Sequence, residues 1–527
     1  MKTITNPILK GFHPDPSILR VGDDYYIATS TFEWFPGVQI HHSKDLIHWK
    51  LIARPLNRVS QLDLRGAASS EGVWAPCLTY DKGTFYLIYT DVKLWGYGGA
   101  RDLHNYLVTT TDINGDWSEP IFLNSSGFDP SLFHDEDGRK WLVNMLWDHR
   151  KGKNRFAGIM LQEFSSKENR LVGPAVNIFK GTELGLVEGP HLYKRNGYYY
   201  LLTAEGGTRY KHAVTFARSK ELTGPYEVHP ANPILTSWSD PTLELQKAGH
   251  GSLVETQQGE WYMVHLCGRP LPQRCRCVLG RETAIQKMVW GEDDWIYLEA
   301  GGNTPKVLVP APDLEAVLWE AEESRDHFDS EVLNSNFQSL RVPLFEDTLS
   351  LKERPGYLRL KGRESLGSRF NQSLVARRQQ AFRYTAAAAL EFNPDTFQQM
   401  AGLIALYDIN NYFYLNITFD EVKGKVLNII TCDNGNFDEP LAEKIPIGEF
   451  NPCYLKIEVD YHLLQFYYSG DEKEWRKAGT VFDASVLSDE YTEPSRFTGA
   501  FIGICCQDLS GQRKSADFDY FEYIEKE

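Results

Sequence analysis

The chain has 527 residues, 42% hydrophobic and 13% aromatic, which is too long for one core and too apolar for a disordered chain. Its formal net charge of -16 argues against a nucleic acid or an anionic membrane as partner and suits a neutral substrate. Met1 to Pro7 lacks an apolar core of signal-peptide length and no run of apolar residues reaches membrane-spanning length, so a cytoplasmic chain with no membrane association is expected.

From the N-terminus, one phrase recurs five times: a glycine followed by aromatic and apolar residues. The copies are Gly22 to Tyr25-Tyr26-Ile27, Gly83 to Phe85-Tyr86-Leu87, Gly138 to Trp141-Leu142-Val143, Gly197 to Tyr199-Tyr200-Leu201 and Gly259 to Trp261-Tyr262-Met263. Each reads as the turn and second strand of a hairpin, and the spacing of about 55 to 62 residues suits one four-stranded blade per copy. A five-bladed β-propeller is therefore expected over residues 1–320. Counting twelve residues back from Tyr86, Trp141, Tyr200 and Tyr262 gives Trp74, Asp129, Glu188 and His250, and ten back from Tyr25 gives Asp15. In a propeller the first strands line a central channel, so these positions are placed around one mouth of it.

Any single Asp-Pro-Ser is an ordinary turn former. Three acids and a histidine in one register are different, because like charges brought together are costly unless a site uses them. Eight cysteines show neither zinc spacing nor a dense disulfide framework, and no Gly-rich phosphate loop opens a helix, so no nucleotide or other cofactor is indicated.

After residue 300 the text changes. Gly301-Gly302-Asn303-Thr304-Pro305 and the charged stretch 320–326 read as an exit and linker. Strands are then expected at 357–360, 386–392, 412–419, 426–431, 454–459, 464–468, 499–505 and 518–524, with no long helix between them. Residues 325–527 thus suit a two-sheet sandwich of the jelly-roll or concanavalin-like lectin type, and the whole chain is all-β.

The motifs His13-Pro14-Asp15-Pro16-Ser17, Glu71-Gly72-Val73-Trp74-Ala75-Pro76, Phe128-Asp129-Pro130-Ser131, Glu188-Gly189-Pro190-His191, Gly249-His250-Gly251-Ser252 and Gly280-Arg281-Glu282-Thr283 together resemble glycoside hydrolase family 43, in its β-xylosidase branch. The second half, from Phe328-Asp329 to Phe497-Thr498-Gly499-Ala500-Phe501, is similar to the sandwich appended in that branch. The resemblance implies an inverting, exo-acting release of xylose from the non-reducing end of β-1,4-xylo-oligosaccharides. It implies Asp15 as general base, Glu188 as general acid and Asp129 as the carboxylate that orients Glu188 and raises its pKa. Arg281 is the expected counter-charge and sugar-hydroxyl ligand, with Phe32 and Trp74 as apolar walls and Trp147 beside a second subsite. From the sandwich, Phe497 is expected to reach over the mouth, with Phe501 as the rival. No cofactor is required, although related enzymes suggest calcium or another divalent ion held through water on His250 in the channel. A homo-oligomer, dimer or tetramer, is also implied. Two other readings compete: an α-L-arabinofuranosidase or dual activity on the same framework, and a non-catalytic sugar-binding propeller.

Overall fold

The computed structural model describes residues 2–96, 98–272, 274–492 and 496–526. Each repeated phrase forms a hairpin, with its glycine at positive φ in the turn, between +61° and +87°. Two further strands complete four of the five sheets, and three complete the fourth in chain order, where the short strand Leu235–Thr236 pairs with Ala213–Ser219. The five blades begin at Ser17–Val21, Gly72–Asp81, Ser131–His134, Glu188–Arg195 and Gln246–Glu255, and in each the first strand lies at one edge. Those first strands pack side by side in chain order, and the fifth packs against the first, so the ring closes.

Apolar residues of the phrases fill the seams between blades. Ile18, Tyr25 and Ile27 bury with Val254, Tyr262 and Val264 of the last blade, while Ile88 and Leu107 bury with Leu132 and Leu142. The closing seam is tied further by Thr3–Thr5, which pairs antiparallel with Leu308–Pro310, and by the Asn6 side-chain amide, which donates to the Ile285 and Lys306 carbonyls.

The register differs from the simple count in two blades. The pairing that continues into each turn begins at Ser17↔Ala28, Cys77↔Ile88, Ser131↔Val143, His191↔Leu202 and Ser252↔Val264. Two residues before these stand Asp15, Ala75, Asp129, Gly189 and His250, and all five have positive φ: 55°, 33°, 53°, 56° and 52°. Trp74 and Glu188 come one residue earlier. The turns explain the slip: Lys82-Gly83 and Asn196-Gly197 are two-residue turns, whereas 135–139 and 256–260 are longer, so a constant count of twelve lands one short in blades 2 and 4. The ladder shifts register at this point in blades 2, 4 and 5, and such bulges re-aim side chains.

The chain forms two compact units, unit 1 (Met1–Leu62, Glu71–Arg269, Arg281–Trp319) and unit 2 (Asp63–Ser70, Pro270–Gly280, Glu320–Glu527). Two short segments from within the first 320 residues thus group with the second unit. That unit contains two antiparallel sheets. One runs 349–350, 358–361, 515–525, 383–391, 453–460, 463–469, 476–483, and the other 436–438, 424–433, 411–420, 399–408, 501–508, 373–378, 338–340. Leu358, Ala386, Leu455 and Phe518 of one sheet share a single core with Leu403, Leu415, Leu427 and Ile504 of the other. The chain is all-β, a five-bladed propeller and a concanavalin-like sandwich. Among the described residues the one helical turn is Ala484–Val486.

Candidate active site

Asp15, Asp129 and Glu188 come from blades 1, 3 and 4 and are all buried. The left-handed backbone at Asp15 and Asp129 is tolerated by aspartate better than by most residues. Asp15 is held on both oxygens: Ser30 Oγ donates to Oδ2 at 2.7 Å and Arg281 Nη1 to Oδ1 at 3.0 Å. Arg281 also donates to Thr208 Oγ1 at 2.8 Å and lies over the Phe32 ring, 5.4 Å from its centroid. The next residue, Glu282, fixes the arginine's strand. It is fully buried, accepts from Arg269 Nε and Nη2 at 2.8 and 2.9 Å, and accepts the Gly11 N–H.

Glu188 and Asp129 form an electrostatic pair. Burial, and then the negative charges of Asp129 and Asp15, hold the Glu188 carboxyl well above the ordinary glutamate range, with Arg281 pulling the other way. Asp129 is pushed up as well, by burial and then by Asp15, but its Oδ2 accepts the Gly189 N–H at 3.0 Å, which favours its anion. The proton of this pair therefore belongs on Glu188. A side chain at Gly189 is disfavoured, since a Cβ there would lie 3.1 Å from the His250 ring at a backbone φ of +56°. Asp129→Asn removes one of the anions that oppose ionisation of Glu188, so the alkaline limb of the kcat–pH profile on xylobiose is expected to move down by about one unit. A limb that stays in place would count against this coupling.

A continuous aromatic surface lies beside the acids. Ring centroids run from Phe12 to Phe32 at 5.5 Å, Phe32 to Trp74 at 5.7 Å, Trp74 to Trp95 at 4.8 Å, Trp95 to Trp147 at 5.3 Å and Trp147 to Phe156 at 5.7 Å, with Phe128 5.5 Å from Trp74. Arg101 caps the half-buried Trp95 and Trp147 at 4.9 and 5.3 Å. Faces of this kind match the C–H surfaces of a pyranose. Phe497 lies half-buried in the second unit, its N–H donating to Ser70 Oγ, while Phe501 is a fully buried strand residue of the sandwich.

Residues 4–296 match Glycosyl hydrolases family 43, and residues 325–524 match the Beta xylosidase C-terminal Concanavalin A-like domain. The chain belongs to glycosyl hydrolase family 43. Among its family 43 relatives, a β-xylosidase of Bacillus subtilis (strain 168) is 54% identical over 534 residues, covering 99% of this chain and 100% of the relative. A xylosidase/arabinosidase of Humicola insolens is 53% identical, covering 99% of this chain and 98% of the relative. The crystal structure of xylan β-1,4-xylosidase from Bacillus halodurans C-125 superposes with a TM-score of 0.98 at 58% identity, covering 99% of this chain and 100% of that one.

The family 43 site includes groups that the repeat did not mark. Ser30, Thr208, Trp95 and Phe128 lie off the counted position, although Phe128 precedes Asp129 directly. Glu205 is another. Fully buried, it accepts from the Thr182 N–H and hydroxyl and from Thr215 Oγ1, tying down the segment that leads to Glu188, and burial raises its pKa. Below the carboxylates, His250 Nδ1 lies 3.9 Å from Asp15 Oδ1, too far for a hydrogen bond. Burial keeps the His250 imidazole below its ordinary pKa against the pull of Asp15, and lowers neighbouring His191 and His212 to about 3. A cavity of about 10 Å³, room for about one water, is lined by His250, His191, Asp129 and the Pro76, Pro130 and Pro190 turns. Calcium takes about six to eight oxygen ligands, and among the described residues no group of three or more His, Cys, Asp or Glu could hold a metal directly.

Proposed function

We propose that the chain is an exo-acting, inverting β-xylosidase that releases xylose from the non-reducing end of β-1,4-xylo-oligosaccharides. The observation that carries this reading is the division of labour among three buried carboxyls. Asp15 is ion-paired to Arg281, while Glu188 is driven towards its protonated form by burial and two anions. Asp15 takes a proton from water as the water oxygen bonds to the anomeric carbon. On the opposite face Glu188 gives its proton to the glycosidic oxygen as the C1–O bond breaks. The net result is one water consumed, with the acid and base exchanging roles in protonation before solvent resets them. Phe32 and Trp74 pack on the terminal sugar and Trp147 beside the next one. His250 takes part as a neutral donor or acceptor towards sugar hydroxyls.

Dual α-L-arabinofuranosidase activity is the second reading, favoured by the xylosidase/arabinosidase among the relatives at 53% identity. Two measurements separate the possibilities. Proton NMR of the first turnovers on xylobiose is expected to show α-xylose before mutarotation, and β-xylose appearing first would overturn inversion. Comparing kcat/KM on 4-nitrophenyl β-xyloside and α-arabinofuranoside is expected to favour the xyloside, with lesser turnover of the furanoside.

A further inference from the structure

We propose that Ser30 is a positioning residue for the general base, holding Asp15 in its working orientation through a hydrogen bond within blade 1, while its own hydroxyl is fixed by an Ala75 N–H from across the seam with blade 2. The proposal rests on Asp15 being the base. Ser30 follows the second strand of blade 1, Asp24–Thr29, and is fully buried, with its N–H donating to the Pro14 carbonyl at 3.2 Å. Its hydroxyl oxygen accepts the Ala75 N–H at 2.7 Å, and its hydroxyl hydrogen goes to Asp15 Oδ2, also at 2.7 Å.

This arrangement fixes the direction of the serine proton. With one lone pair committed to Ala75, the hydroxyl has a single buried acceptor to serve, and that acceptor binds it best as a carboxylate. Ala75 stands at the left-handed position of blade 2, beside the wall residue Trp74, so the aromatic wall and the base share one rigid link. Ser30 on Oδ2 and Arg281 on Oδ1 thus hold the carboxylate plane from two sides, one from its own blade, braced by Ala75 of the next, and one from the closing seam. A carboxylate has about four lone-pair sites, so room remains for the attacking water.

The test is Ser30→Ala with full pH profiles on two substrates: xylobiose, whose leaving group is poor, and 4-nitrophenyl β-xyloside, whose leaving group is good. Loss of a hydrogen bond to a charged group predicts a fall in kcat/KM of about tenfold to a hundredfold. Because water activation is common to both substrates, the factor is expected to be the same for each. The acidic limb of kcat/KM is expected to move to higher pH, because the hydrogen bond that favours the charged carboxylate has gone. Calorimetric binding of xylose, unchanged within a few-fold, identifies a folded variant. A folded variant with an unmoved acidic limb, whether or not its rate falls, overturns the proposal. If Asp15→Ala itself keeps full activity, the base assignment fails instead, and the two failures are distinguishable.

Discussion

Glu188→Gln is expected to slow xylobiose hydrolysis by about 10²–10⁴-fold, while 4-nitrophenyl β-xyloside loses far less. Glutamine keeps the shape of the side chain but has no acidic proton to give. A sugar alkoxide is a poor leaving group and needs that proton as the C1–O bond breaks, whereas nitrophenolate departs without it. Equal losses on the two substrates would sink the assignment of Glu188 as acid. The same substitution has a stability signature. Burial and the charges of Asp129 and Asp15 raise the folded-state value above that of the unfolded chain. The contribution of Glu188 to stability is therefore complete below the ordinary glutamate value, about pH 4.3, and declines as pH rises towards the raised folded value. Thermal melts should accordingly place Glu188→Gln level with the parent near pH 4 and above it in alkaline buffer.

Asp15→Ala is expected to cost about 10²–10⁴-fold on both substrates alike, because activation of water precedes any choice of leaving group. Azide offers a chemical check, since it attacks without needing deprotonation. With the alanine variant it should restore part of the rate and yield α-xylosyl azide, the inverted product from a β-xyloside. No rescue by azide, together with near-normal hydrolysis in its absence, would remove Asp15 from the mechanism. Asp15→Asn serves as a companion variant, because alanine leaves the buried Arg281 without its carboxylate while asparagine keeps an oxygen acceptor.

The blades were readable because each hairpin turn needs a glycine and each second strand is aromatic. The three acids were readable because they precede those hairpins at nearly constant distance. Exact register was not, since a two-residue turn at Lys82-Gly83 and a longer one at 135–139 look alike in composition, so Glu188 and Trp74 were set one place out of line. Ser30 and Thr208 carried no signal at all. Both are common polar residues whose role arises only where separate blades meet. In the sandwich the alternating strands were found, but Gln399–Asp408, Ser373–Arg378 and Arg476–Asp483 were not. The first is buried along nearly its whole length and so shows no alternation, and the last is largely exposed. Two of the missed strands, Ser373–Arg378 and Gln399–Asp408, flank Phe501–Asp508 in the second sheet, so the order of that sheet came into view only in three dimensions.

The Asp15–Arg281 pair joins residues 266 positions apart in the chain at a distance of 3.0 Å. A nascent chain that has completed blades 3 and 4 already carries Glu188 and Asp129, the proposed acid and the carboxylate that tunes it. It does not yet hold Asp15 on both oxygens, because Ser30 is in place but the guanidinium arrives only with the last blade. Catalytic competence is thus tied to the slowest kind of contact, one between distant parts of the chain. On the proposed mechanism a partly wound propeller lacks the guanidinium that its base is paired with, and full turnover reports the moment at which its two ends meet.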